Sequence, residues 1–187
     1  VSATGGTIDC TSGEALLGGN SQTNGASYTW SGPNNFNSNQ QNPIVSDAGL
    51  YVLTVQGPNG CTASASATIL ENTLSPEVDI SGAGTLNCLS PNLNLLGTIQ
   101  TAGASGIWTG PNNFSSDQNS INVSIPGVYT FTVTAANGCV SAPTATILIN
   151  TQVPQGLIAS GGILNCSFPS IALTAASSTP GVTYSWT

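Results

Sequence analysis

Short apolar runs recur along the whole chain, separated by clusters of Gly, Asn, Ser and Pro. Alternation with period two over four to eight residues predicts half-buried strands, and the clusters predict turns. The strongest run alternates Tyr51, Leu53 and Val55 with Val52 and Thr54, and it returns as Tyr129, Phe131 and Val133. Further strands are predicted at 78–80, at Leu93–Ile99, at Ile44–Val45 and its later counterpart Ile121, Val123 and Ile125, and at 67–70 and 145–149. No window of helical length carries an apolar stripe of period 3.6. Six to seven strands in fewer than eighty residues close most simply as two packed sheets, a β-sandwich.

The strand pattern is itself periodic. The stretch from Trp30 to Cys61 aligns without a gap on Trp108 to Cys139. Cys10, Cys88 and Cys166 keep the same 78-residue step, as do Trp30, Trp108 and Trp186. A fixed period of this size marks a tandem array. The predicted units are 1–72, 73–150 and, as the first half of a third repeat, 151–187. Short proline-bearing linkers, 72–76 and 150–154, join the last strand of one unit to the first of the next. Proline stops a ladder and stiffens the chain, so the units are expected to stack end to end as a semi-rigid rod.

Composition then removes whole classes of function. The chain has no Lys, Arg or His against seven acids, a formal charge of −7. Nucleic acid needs cationic partners for its phosphates, and anionic membrane surfaces need the same. Neither is expected as a partner, and no apolar run exceeds strand length, so no membrane insertion is predicted in this segment. A histidine base, a lysine Schiff base and an arginine clamp are all excluded. No acid recurs at an equivalent place in the repeats, so a paired-carboxylate enzyme is not expected, and no cofactor is predicted. Only 4% of residues are charged, a surface suited to packing against copies of itself or lying under glycans. The neutral strand 67–70 carries no lysine guard and is a candidate open edge for lateral association.

Five cysteines, with no CxxC pair and no histidine, read as disulfides and not as a metal site. Two fall 51 positions apart in each full repeat, predicting one bridge per module, Cys10 with Cys61 and Cys88 with Cys139. Closing such a loop stabilises by roughly 4 kcal/mol in chain-entropy terms, and implies an oxidising, extracytoplasmic setting. Cys166 is left with a partner expected near position 217, beyond the chain.

Trp30, Trp108 and Trp186, with Tyr51, Tyr129 and Phe131, are the expected core, each Tyr donating a corner hydrogen bond. The repeated G-P-N-N-F pentapeptide has turn chemistry, because Pro sets φ and Asn tolerates the left-handed region. Asn34, Asn35, Asn112 and Asn113 are therefore candidate ligand-facing turn residues. Glu71, Glu77 and Asp79 gather near the first linker as a weak candidate calcium site. The matching positions at the second linker are Ile149, Gln155 and Leu157, so no repeated metal site is predicted.

The motif W-[ST]-G-P-N-N-F, followed by G-x-Y-x-[LF]-T-V and N-G-C, resembles the immunoglobulin-like, PKD-like and SprB-type repeats of very large Bacteroidetes surface proteins. Members of that group include gliding adhesins and other proteins exported by the type IX system. The resemblance implies an all-β fold of tandem immunoglobulin-like sandwiches, each of about 78 residues with one disulfide. Asp47-Ala48-Gly49-Leu50-Tyr51 is similar to the D-x-G-x-Y segment of immunoglobulin domains, but Leu53 stands where their cysteine would be. The implied function is a spacer in a cell-surface or secreted stalk or filament, with copies of itself or other modules of the same chain as partners. The alternatives are glycan binding through Trp and the Asn-rich turns, or accessory repeats of a secreted enzyme.

Overall fold

A computed structural model describes all 187 residues, Val1–Thr187. The first module has a main sheet ordered Thr7–Asp9, Thr62–Asn72, Gly49–Gln56, Ser27–Ser31, Asn37–Ser38. Facing it are two short ladders, Ser2–Thr4 with Gly18–Asn20 and Ala15–Leu16 with Ile44–Val45. Alternation places Tyr51, Leu53 and Val55 of the central strand inward, and Trp30 pairs in register with Leu53. Leu17 and Val45 from the opposite layer complete a core with Trp30, Tyr51, Leu53, Val55 and Ile69.

The second module repeats this plan. Its main sheet runs Thr85–Asn87, Thr144–Asn150, Gly127–Thr134, Ser105–Gly110, Phe114–Ser116, with Val140–Ser141 also on Gly127–Thr134. Val78–Ser81, Leu93–Ile99 and Ser120–Val123 form the facing sheet. Its core is separate from the first and includes Leu95, Trp108, Tyr129, Phe131 and Ile147. One difference has a simple cause. The last strand of the first module, Thr62–Asn72, is continuous, whereas its counterpart breaks between Ser141 and Thr144. Pro143 lies in that gap and has no N–H to give to a ladder.

Both modules are immunoglobulin-like sandwiches in their own geometry. Two sheets enclose a tryptophan with no exposed surface, and a tyrosine hydroxyl bonds back to the chain four residues upstream. Tyr51 Oη donates to Asp47 O at 2.8 Å and Tyr129 Oη to Ile125 O at 3.1 Å. That is the corner found in such domains. The fold is thus all-β and tandem.

Two expectations about packing differ from the structure. The strand at 67–70 is not an open edge. Thr7–Asp9 pairs parallel with its end, Leu70 N donates to Gly6 O at 3.0 Å, and Gly5 lies directly against Thr68. Trp186 is not in a core. Residues 151–187 form one ladder, Ile158–Ser160 with Thr174–Ala176, and Trp186 is 53% exposed.

Candidate functional site

The contacts with the most chemistry lie where the first module meets the second. Asp9 ends the Thr7–Asp9 strand, and its carboxylate folds the next residues into a tight turn. Asp9 Oδ1 accepts from Thr11 N and Ser12 N, both at 2.9 Å, and from both hydroxyls. Those bonds, led by the Thr11 hydroxyl, lower its pKa from 3.8 to about 2. The turn presents Cys10 at the end of the module.

On the other side stands the hairpin Asn137-Gly138-Cys139, shaped by its own asparagine. Asn137 Oδ1 accepts from Cys139 N at 3.1 Å. Its Nδ2 reaches across to Asn72 O at 3.0 Å, Asn72 Oδ1 at 3.1 Å and Leu74 O at 2.9 Å. Asn137 O accepts from Cys10 N at 3.1 Å. Ser141 Oγ donates to Pro76 O at 2.6 Å. Gly138 packs so closely on Thr11 that any Cβ would overlap its methyl group. At the centre of these contacts Cys10 and Cys139 form a disulfide, with Cα atoms 5.0 Å apart and a sequence separation of 129. Cys139 is 2% exposed.

The bridge therefore joins two modules, and the expected pairs within modules, Cys10 with Cys61 and Cys88 with Cys139, do not form. Strand geometry explains this. Cys61 directly precedes the 11-residue strand Thr62–Asn72. Cys10 follows Asp9, which pairs in register with Asn72 at that strand's far end. At about 3.3 Å per residue the two cysteines lie roughly 35 Å apart, against at most about 7 Å for a bridge. A module thus carries its cysteines at opposite ends, and end-to-end stacking brings unlike ones together. Cys61, Cys88 and Cys166 are exposed free thiols.

Trp30 and Trp108 are wholly buried. Their indole N–H groups donate to Gln41 O at 3.2 Å and Asn119 O at 3.3 Å. Neither ring offers a stacking face to a sugar. Asn34, Asn35, Asn112 and Asn113 are exposed, with φ of 52°, 59°, 56° and 59°. They turn the chain so that its neighbours pack: Gly32 lies flat on the Tyr51 ring, Pro33 on Gly49, and Phe36 meets Tyr51 edge-on at 5.3 Å. In the second module Gly110, Pro111 and Phe114 do the same around Tyr129. Burial pushes both tyrosine hydroxyls above their ordinary pKa, with the Asp47 charge adding to the effect at Tyr51, so both remain donors to the corner.

The three acids of the weak calcium candidate do not converge. Glu71 accepts from Thr73 Oγ1 at 2.9 Å and Asp79 from Gln100 Nε2 at 2.7 Å. No group of three or more Cys, Asp or Glu side chains is gathered to hold an ion. No helix is long and apolar enough to cross a membrane.

No protein-family profile matches the chain, and no curated protein does. Solved structures similar to it in fold include murine CEACAM1b, at 12% identity and a TM-score of 0.34, covering 80% of this chain and 98% of that one. Another is the IG1+IG2 segment of DIP-gamma, at 10% identity and a TM-score of 0.39, covering 81% and 96%. A third is a 1.5-MDa bacterial ice-binding adhesin, at 11% identity and a TM-score of 0.47, covering 82% and 66%.

Proposed function

We propose that this chain is a length of extracellular stalk, in which immunoglobulin-like modules serve as spacers held in fixed relative orientation. The observation that carries this reading is the Cys10–Cys139 bridge across the junction. A disulfide within a module would stabilise that module alone. One between modules removes the hinge between them, which matters only where length and direction have to be kept. The polar interlock of Asn137 with Asn72 and Leu74 supports the same reading, and a persistent disulfide requires an oxidising compartment. The wholly buried tryptophans weigh against glycan recognition through those rings.

Within this reading the chain belongs to the repeat region of a large bacterial surface adhesin of the SprB type. That finer assignment rests on the repeated W-[ST]-G-P-N-N-F and N-G-C motifs. The expected partners are other modules of the same repeat.

Small-angle scattering on the oxidised full chain and on Cys10→Ser compares the two states. The oxidised chain should scatter as a single elongated particle with one module-to-module distance. The variant should show a broadened distance distribution. Equal flexibility in both would end the stalk reading.

A further inference from the structure

The interlock at the first junction has two halves, and each is present a second time with its cysteine exposed and free. The receiving half is the turn after the short parallel strand, with the end of the last strand beside it. In the first module it comprises Asp9, Cys10 and Asn72. In the second, Thr85–Asn87 pairs with Leu148, Ile149 and Asn150 in the same register. Asn87 Oδ1 accepts from Leu89 N at 2.9 Å and Ser90 N at 2.8 Å, reproducing the Asp9 turn. Cys88 stands there as an exposed thiol, and the following Leu89 is 96% exposed.

The inserting half is the Asn-Gly-Cys hairpin. In the first module Asn59 Oδ1 accepts from Cys61 N at 3.2 Å, Gly57 N donates to Cys61 O at 2.9 Å, and Gly60 N to Gly57 O at 2.9 Å. The docked hairpin has the same three bonds, at 3.1, 2.9 and 3.0 Å. The two hairpins differ in their surroundings. Cys61 is exposed, while Cys139 is buried against the neighbouring module.

We infer that Cys88 and Cys61 are the two open halves of a running staple. Cys88 receives the Asn-Gly-Cys hairpin of a module docked on the far end of the second, and Cys61 inserts beside the Cys10-type turn of a module docked before the first. The partner in each case is a module of this same repeat in the same chain, bridged in the register of 129 residues seen for Cys10 and Cys139. The pairing follows from the ends at which the cysteines sit, and these ends are the same in every module.

Each new bridge forms by two exchanges with a small-molecule disulfide such as oxidised glutathione. The Cys88 thiolate attacks one sulfur and releases one glutathione thiolate. The hairpin cysteine then attacks the Cys88 sulfur of the mixed disulfide and releases the second. Two protein thiols lose two protons and two electrons, and the glutathione disulfide is reduced to two thiols.

Two lengthened chains test this. The first places residues 1–78, with Cys61→Ser in that added copy, ahead of the full chain in register. The second continues the full chain after Thr187 with residues 110–150, which completes the third module. Both are reoxidised in glutathione buffer at low concentration, alkylated and mapped by peptide mass spectrometry. In the first, the original Cys61 should become protected and linked to a Cys10-type peptide, with Cys88 open to alkylation. In the second, Cys88 should become protected and Cys166 should stay open. The inference is overturned if Cys61 and Cys88 both stay open, if Cys166 takes the added hairpin cysteine, or if the links form only between separate chains as concentration rises. The first chain adds a complete module, so its answer does not depend on whether the completed third module folds. The inference shares with the stalk reading only the stacking of modules. A flexible oxidised chain would remove the stalk reading and leave the mapped pairs intact.

Discussion

Asp9, Asn87 and Asn165 occupy one position of the repeat and perform one task by the same geometry. Asn165 Oδ1 accepts from Ser167 N at 2.9 Å and Phe168 N at 3.0 Å, as the other two do in their turns. Only Asp9 can lose the bonds by protonation. Its pKa is lowered in the folded chain, so its contribution is present above its ordinary value of 3.8 and is lost as pH falls through about 2. Asp9→Asn should therefore keep the turn and the Cys10–Cys139 bridge while flattening the fall in melting temperature between pH 4 and 2. Thermal denaturation of both proteins across that range checks it, and an unchanged slope would refute it. A second pair of positions is coupled by volume. Trp108 stacks on Phe131 at 4.7 Å, and a Cβ at Gly106 would lie 2.6 Å from that ring's Cε2. In the first module the matching residues are Leu53 and Tyr28, a smaller residue beside a larger one. Leu53→Phe alone should overpack the core by about 1–3 kcal/mol. Adding Tyr28→Gly should recover part of that, a coupling of about 1 kcal/mol in a double-mutant cycle read by chemical denaturation.

At the scale of elements, the G-P-N-N-F turn and the G-x-Y strand form one packing unit, which is why they recur together. The turn puts a glycine on the tyrosine face and a phenylalanine at its edge, and the strand supplies the tyrosine and its corner bond. Tyr129→Phe removes only the bond to Ile125 O and should cost about 1 kcal/mol in unfolding free energy. Gly110→Ala should cost more, because a Cβ there lies 2.5 Å from Tyr129 Cδ1 and the rigid ring cannot yield. If the two rank in the opposite order by urea denaturation, the packing unit is misassigned. Because both tyrosine pKa values are raised, the corner's contribution is full below about pH 10 and is lost as pH rises past it. These elements are legible from the alternation of Tyr51, Leu53 and Val55, since one buried face leaves a period-two record in the residues. Disulfide pairing leaves no such record. Sequence distance favours Cys10 with Cys61, and only the parallel pairing of Asp9 with Asn72 shows that they lie at opposite ends of a strand. Parallel pairing of three residues is a tertiary fact, invisible to local pattern.

For the whole molecule, the bridge changes how load passes along the chain. Tension applied at the two termini reaches Cys10, crosses to Cys139 and bypasses the segment between them, a sequence separation of 129. Both cores lie almost entirely inside this bypassed segment: apart from Ile8, Ala145 and Ile147, every core residue falls between the two cysteines. The in-module pairing would leave the linker between the modules under load. The observed pairing instead shields the junction, whose backbone and Asn137 bonds alone would yield at low force. A loop this long also constrains the unfolded chain by about 5 kcal/mol in chain-entropy terms, somewhat more than either shorter loop. Single-molecule stretching from the two termini should therefore extend only the segments outside the bridge, Thr7–Asp9 and Thr144–Asn150 among them, and add no contour from between the cysteines while the disulfide is intact. Adding a reductant should release roughly 450 Å of further contour at about 3.5 Å per residue, in two steps as the two cores give way. Cys10→Ser should show both steps without reductant. Full extension of the oxidised chain would mean that the two modules are not bridged, whereas a segment between the cysteines that lengthens only on reduction shows that the staple carries the load.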